Sequence, residues 1–118
     1  MGFVEARMDI ANPQDLTKKT SVSLLADTGA TYSVIPRGVL DKIGVASTKR
    51  AEFEIADGRH IERDLGLVAF FWNGDHAVSR VIFGEEGDSV VLGVTALEEL
   101  GLLVDPTEKQ LRPAKLRL

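Results

Sequence analysis

The stretch Val22-Ser23-Leu24-Leu25-Ala26-Asp27-Thr28-Gly29-Ala30 decides how the rest of the chain is read. An apolar run leads straight into a carboxylate at the point where a strand must turn. A carboxylate there is costly unless it is hydrogen-bonded or shares its charge with a second group. Gly29 permits a tight turn and an amide donor close to Asp27, and Thr28 adds a hydroxyl able to fix the loop. Downstream, Thr31 to Ile35 reads as a strand leaving the turn. Val90-Val91-Leu92-Gly93 is a second apolar strand, ending in glycine and followed by a helix pattern.

Short β-like segments separated by turn signals make up most of the remainder. Phe3 to Ile10 alternates loosely and ends at the turn pair Asn12-Pro13, and Thr20 to Ala26 enters the tripeptide. Pro36 suits a first helical position, and Val39, Leu40 and Ile43 recur at helical spacing before Gly44, which predicts one short helix. Ala51-Glu52-Phe53-Glu54-Ile55 alternates strictly. Asp57-Gly58 then predicts a primed hairpin turn, with His60 to Leu65 returning. Glu52, Glu54, Glu62 and Asp64 make this hairpin polar, so it is expected to project from the body. Leu67 to Trp72 predicts a separate buried strand turned at Asn73-Gly74-Asp75, with His76 to Phe83 returning, and Ser89 to Leu92 a short apolar one. Thr95 followed by Glu98 reads as a capping box opening a second helix, with Leu97 and Leu100 inward and Gly101 stopping it. Leu102 to Val104 and Gln110 to Leu118 supply the last strands, on either side of a turn at Asp105-Pro106. Many short strands with two small helices predict a closed or sandwich-like all-β domain.

The 118 residues fit one domain, 1–118. Lys+Arg 14 against Asp+Glu 18 gives a net charge of −4, which argues against a nucleic-acid binder relying on a broad basic face. With no cysteine, disulfides, thiolate zinc sites and cysteine nucleophiles are excluded. No apolar block resembling a signal peptide opens the chain. The longest apolar run, Leu67 to Trp72, is too short to span a bilayer as a helix. A soluble, cytoplasmic protein with no membrane partner is the expectation. His60 and His76 have no second ligand at a useful spacing and read as solvated, so neither metal nor cofactor is expected. Trp72 reads as a core or interface residue.

Hydrolysis of an amide by water needs one group to take a proton and another to give one. Two neighbouring carboxyls do both, because they cannot both ionise comfortably and so share a proton. This chain carries one well-framed Asp, so the second must come from another copy across a two-fold axis. The sequence resembles the retropepsin-like aspartic proteases, the single-domain homodimeric class. Leu24 to Ala30 corresponds to the catalytic loop, Glu52 to Leu65 falls where that family keeps its substrate-covering flap, and Val91-Leu92-Gly93 with Ala96 to Gly101 matches the later apolar-apolar-Gly strand and helix. The resemblance implies a closed acid-protease barrel with one or two short helices, homodimeric, cleaving an extended peptide. It implies catalytic roles for Asp27, Thr28 and Gly29. It also implies substrate contacts at Leu25, Ala30 and Thr31, at Ala56, Asp57, Gly58 and Arg59 in the flap tip, and at Val91. Viral members usually carry an acid two positions after the loop glycine and an arginine directly after the later one; here those positions hold Thr31 and Val94. Both partners of that ion pair are absent together, which strands no charge. A non-catalytic dimerisation or peptide-binding module on the same fold is the alternative.

Overall fold

The computed structural model describes residues 4–115, 117 and 118, which contain nine strands and two short helices. Phe3, at the start of the expected first strand, and Leu116, in the expected last one, lie outside the described residues. β1 (Val4–Asn12) and β2 (Asp15–Ala26) form a long antiparallel hairpin in which Val4 pairs with Ala26 and Ile10 with Thr20. Alternation explains it: Val4, Ala6, Met8 and Ile10 on one strand and Val22, Leu24 and Ala26 on the other are all buried, while the residues between point outward. β2 starts five residues before the expected Thr20. That polar extension, Asp15 to Lys19, is fully exposed and held by backbone pairing to β1.

β3 (Ser33–Pro36) and α1 (Arg37–Lys42) follow, then β4 (Lys49–Glu54), β5 (His60–Trp72), β6 (Asp75–Gly84) and β7 (Val91–Leu92). α2 (Val94–Leu100) leads to a separate two-stranded pair, β8 (Leu102–Asp105) and β9 (Gln110–Pro113). The seven-stranded sheet runs β1-β2-β7-β3-β6-β5-β4, and β5 also pairs with β1, so six strands form a closed circuit with β4 outside it. The closing seam joins Ile10 to Phe70 and Ala11 to Ala69. All four of these residues are fully buried, so the seam lies in the driest part of the molecule. A fully buried Ile or Phe side chain contributes about 1.5–3 kcal/mol, and here the same side chains fix the register that shuts the sheet. Leu40 and Ile43 cover one side of this core, and Ala96, Leu97 and Leu100 another. Trp72 is half-buried and packs against it. None of the described helices is long and apolar enough to cross a membrane.

Four expectations are corrected. The returning hairpin arm and the buried strand after it are one 13-residue strand, β5, exposed at its start and buried from Leu65 onward apart from Leu67 and the two terminal residues. Its backbone has no reason to break, since Gly66 sits in close packing, where a Cβ would come 2.8 Å from the Phe83 ring. The 55–59 tip is not a two-residue primed turn. Only Gly58 has positive φ, the Gly58 amide bonds to the Ile55 carbonyl, and Asp57 accepts from the Arg59 amide, so a three-residue turn closes the hairpin. A two-residue turn with both residues at positive φ occurs instead at Asn73-Gly74, between Trp72 and Asp75, where the sequence reads as a hairpin turn. The last strand stops at Pro113, which has no N–H to continue a ladder.

The fourth correction concerns α2. Gly93, not Thr95, is its N-cap residue, and no side chain caps it. The first amides of the helix are already occupied by carbonyls from elsewhere in the chain, and the Thr95 hydroxyl instead accepts from Ser79. Gly101 ends the helix in the left-handed conformation at φ 66, as the sequence suggests.

Candidate active site

The loop at Asp27 is built by two segments far apart in sequence. β2 and β7 run parallel, with Leu25 opposite Val91 and Ala26 opposite Leu92. The Asp27 amide donates to the Leu92 carbonyl at 2.9 Å, and the Leu25 amide to the Val90 carbonyl at 3.1 Å. Beyond the turn, Ala30 and Thr31 offer their carbonyls to the Val94 and Thr95 amides at 2.8 and 3.0 Å. These are the bonds that satisfy the start of α2, so the helix and the loop stabilise each other. Thr31 and Val94 are each held by a main-chain bond, Thr31 to Thr95 and Val94 to Ala30.

Gly93 is where the two segments come closest. A Cβ there would lie 2.5 Å from the Tyr32 carbonyl carbon and 2.7 Å from its oxygen, so only glycine fits without a backbone shift. The Gly93 amide donates to the hydroxyl of Ser33, which is completely buried. Ser33 did not stand out in the sequence, because a lone serine at a strand start carries no pattern.

The Asp27 carboxylate is half-buried, and Thr28 and Gly29 beyond it are exposed. Oδ1 accepts from the Gly29 amide at 2.8 Å, the donor that the tripeptide suggests, and the Ala30 amide closes the turn on the Asp27 carbonyl at 3.1 Å. The Gly29 amide thus aims the carboxylate, and bonds at the Asp27 amide and carbonyl hold the turn that carries it. Leu25, one residue before Ala26, is also exposed.

Next to this loop lies an apolar cleft of about 260 Å³. Val34, Ile82 and Val91 form its floor, and Phe53, Ile55 and Ile61 come down from the β4–β5 hairpin above it; Arg63, Asp88 and Ser89 close one end. Val91 is adjacent to Leu92, whose carbonyl holds Asp27, so the floor of the cleft and the carboxylate share one strand. The hairpin has two characters. Glu52, Glu54, His60 and Glu62 face solvent, with His60 Nδ1 2.9 Å from Glu52, while Phe53, Ile55 and Ile61 are half-buried over the cleft. Alternation in Ala51 to Ile55 was the available signal for that apolar underside. Of the expected contact residues, only Val91 lines the cleft. Ala56, Asp57, Gly58 and Arg59 form the exposed tip, where Arg59 pairs with Asp57 at 2.7 Å, and none of the four lines the cleft.

Neither a family model nor a curated protein matches the sequence. Among solved structures, the chain is similar to EIAV protease complexed with the inhibitor HBY-793, at a TM-score of 0.64 and 20% identity, over 99% of this chain and 94% of that one. The chain has a retropepsin-like fold. At that identity the likeness is one of architecture, and it extends over nearly the whole of both chains. The retropepsin-like frame accounts for the order of the parts: loop, hairpin, apolar strand, glycine and helix succeed one another here as the sequence resemblance implies.

Proposed function

We propose that this chain is an aspartic endopeptidase acting as a homodimer, with residues 1–118 as one protease domain. Its Asp27 and the Asp27 of a second copy share a proton at the two-fold axis. One carboxylate takes a proton from the attacking water while the other, protonated, donates to the scissile carbonyl. The tetrahedral intermediate then collapses as the amine leaves with a proton. Thr28 and Gly29 hold the carboxylate in place. Leu25, Ala30, Thr31 and Val91 line the path of an extended peptide, and the tip Ala56-Asp57-Gly58-Arg59 closes over it from above. No cofactor enters the reaction.

One observation carries this reading: a single carboxylate, fixed by main-chain bonds at an exposed edge, beside an apolar cleft roofed by a hairpin. Among the described residues the Asp27 carboxylate enters no ion pair; it accepts from the Gly29 amide. The apolar cleft suits an aliphatic side chain of the peptide. Cleavage of a diverse peptide library by the wild-type protein, blocked by a statine-type transition-state mimic and abolished in Asp27→Asn with fold and dimer intact, is the expected result. Cleavage persisting in Asp27→Asn would remove Asp27 from the chemistry. A wild-type protein that binds peptide but cuts none would leave a recognition module on the same fold.

A further inference from the structure

The β4–β5 hairpin is attached to the rest of the molecule in few ways. β4 is the outer strand of the sheet and pairs with β5 alone. Its apolar underside rests on the cleft floor, and β5 runs on into the core. The directional attachment is Arg63, on the returning arm opposite Ala51. One edge of its guanidinium grips Asp88 through two bonds, Nε to Oδ2 at 2.7 Å and Nη2 to Oδ1 at 2.9 Å, while Nη1 donates to the Glu62 carbonyl. Asp88 lies in the loop between β6 and β7. That loop is itself locked, since Asp88 Oδ2 accepts the Glu85 amide at 2.8 Å and the Asp88 amide returns to the Glu85 carbonyl at 3.0 Å. Arg37 at the start of α1 binds Glu85 and also Asp64, tying the same loop to the hairpin base a second time.

Among the described ion pairs, Arg63–Asp88 is the one with both partners under a quarter exposed, at 18% and 23%. Both residues also line the end of the apolar cleft. A bidentate, partly desolvated pair is worth more than an exposed one and is geometrically specific.

From this geometry we infer that Arg63 and Asp88 form a clasp joining the two rims of the cleft, which holds the hairpin down and thereby positions the peptide. The clasp itself is a property of the free chain; its effect on peptide rests on the protease reading above. An outward swing of the hairpin at Arg63 must break both bonds together, because the 85–88 loop is anchored independently. Arg63 and Asp88 act through the hairpin and are positioning residues. The Arg63 guanidinium holds the Asp88 carboxyl below the usual carboxylate range, helped by the Glu85 amide, so the pair persists in mild acid, where a proton-sharing dyad works.

Three variants test the clasp: Asp88→Asn, which keeps an oxygen for the Glu85 amide, Arg63→Met, which keeps the aliphatic stem, and the double variant R63M/D88N. In the free protein, hydrogen exchange at amides 51–62 is expected to rise about tenfold in each single variant, with β1 and β2 amides unchanged, and to rise no further in the double variant. Unchanged hairpin exchange, or a parallel rise throughout the sheet, would overturn the clasp and leave the pair a general stabiliser. On a cleaved peptide, the single variants are expected to raise KM about tenfold with the smaller change in kcat. A loose hairpin with an unaltered KM would overturn the positioning role. Hairpin exchange that rises as expected in a protein that cleaves no peptide would support the clasp and sink the protease reading instead.

Discussion

Replacing Gly93 by alanine should damage this protein far more than one methyl group normally does. The added carbon would sit 2.5 Å from the Tyr32 carbonyl carbon, 2.7 Å from its oxygen and 2.9 Å from the Ser33 nitrogen. Carbon atoms in contact prefer about 3.5–4.0 Å, so backbone must move by roughly 1 Å. All three obstacles are main-chain atoms, and no side chain can swing away to make room. Their segment is pinned on both sides, by the Thr95 amide on Thr31 and by the β3–β7 pairing of Val34 with Val91. Overpacking costs about 1–3 kcal/mol, here at the upper end. Displacement also strains the Gly93–Ser33 hydrogen bond, worth about 1 kcal/mol. A loss of about 3–4 kcal/mol follows, a large share of the roughly 5–15 kcal/mol that holds a domain together. In urea this lowers the midpoint by about 2 M at an unchanged slope. Gly38→Ala is the matched control: it lies inside α1, its Cβ would meet nothing within 4 Å, and a gain of about 0.5–1 kcal/mol is expected. Urea unfolding of both variants decides the matter. If Gly93→Ala unfolds within about 0.5 kcal/mol of wild type, the close approach of the two loop segments is wrong, and with it the account of how Asp27 is held.

Ser33→Ala removes the acceptor of the buried Gly93 amide and is expected to cost about 1–3 kcal/mol in urea unfolding; a neutral result would mean that the amide finds another partner. The Asp64 and Glu85 carboxyls are both held below their ordinary range, chiefly by hydrogen bonds from Arg37. Because their folded-state values lie below those of the unfolded chain, the stabilisation is complete above about pH 4–5 and disappears as the pH falls through the folded-state values. Arg37→Met, which removes the guanidinium and with it the contact of Cζ with the Phe83 ring at 4.9 Å, should therefore lower the urea midpoint at pH 7 and flatten its decline toward pH 3; curves that stay parallel at every pH would show that Arg37 does not set these carboxyls.

What the sequence disclosed and what it hid follow from the range of the interactions. Asp27-Thr28-Gly29, the Asn73-Gly74 turn and the Gly101 stop are local, because each depends on the φ a residue tolerates or on a donor two or three residues away. The β1–β2 hairpin was legible from its period-two burial, but its polar extension from Asp15 to Lys19 was not, since backbone pairing leaves no mark on side-chain pattern. Closure of the sheet rests on four residues, Ile10, Ala11, Ala69 and Phe70, which are apolar like many others until the fold places them together. Thr95 misled for a similar reason. Its capping box is locally sound, yet the Thr31 carbonyl had already taken the Thr95 amide that Glu98 would serve, and the Thr95 hydroxyl meets Ser79 instead. The cleft wall was half visible: Phe53, Ile55 and Ile61 alternate with glutamates and histidine, but that they face Val34, Ile82 and Val91 depends on how the hairpin folds back.

The two halves of the candidate site are held by different chemistry, and acid should separate them. Around Asp27 the bonds run from the Asp27 amide to Leu92, from Val94 to Ala30, from Thr95 to Thr31 and from Gly93 to the Ser33 hydroxyl. None of these four contains a group that titrates; the one bond of the loop that does is the Gly29 amide on Asp27 Oδ1. The links from the loop to β7 and α2 therefore persist at any pH at which the sheet stays folded. The hairpin, in contrast, is tied through Arg63–Asp88, Arg37–Asp64 and Arg37–Glu85, and each of those ties ends when its carboxylate takes a proton. A carboxyl dyad works best where one of its members is protonated, so a protease built this way needs hairpin carboxylates that ionise at lower pH than the dyad. Asp64, Glu85 and Asp88 are each held below the ordinary carboxylate range, chiefly by hydrogen bonds from Arg37 or Arg63, which is the direction such a protease needs. Acid that neutralises Asp64, Glu85 and Asp88 should thus free the hairpin while the amide-to-carbonyl bonds that join the Asp27 loop to β7 and α2 stay in place.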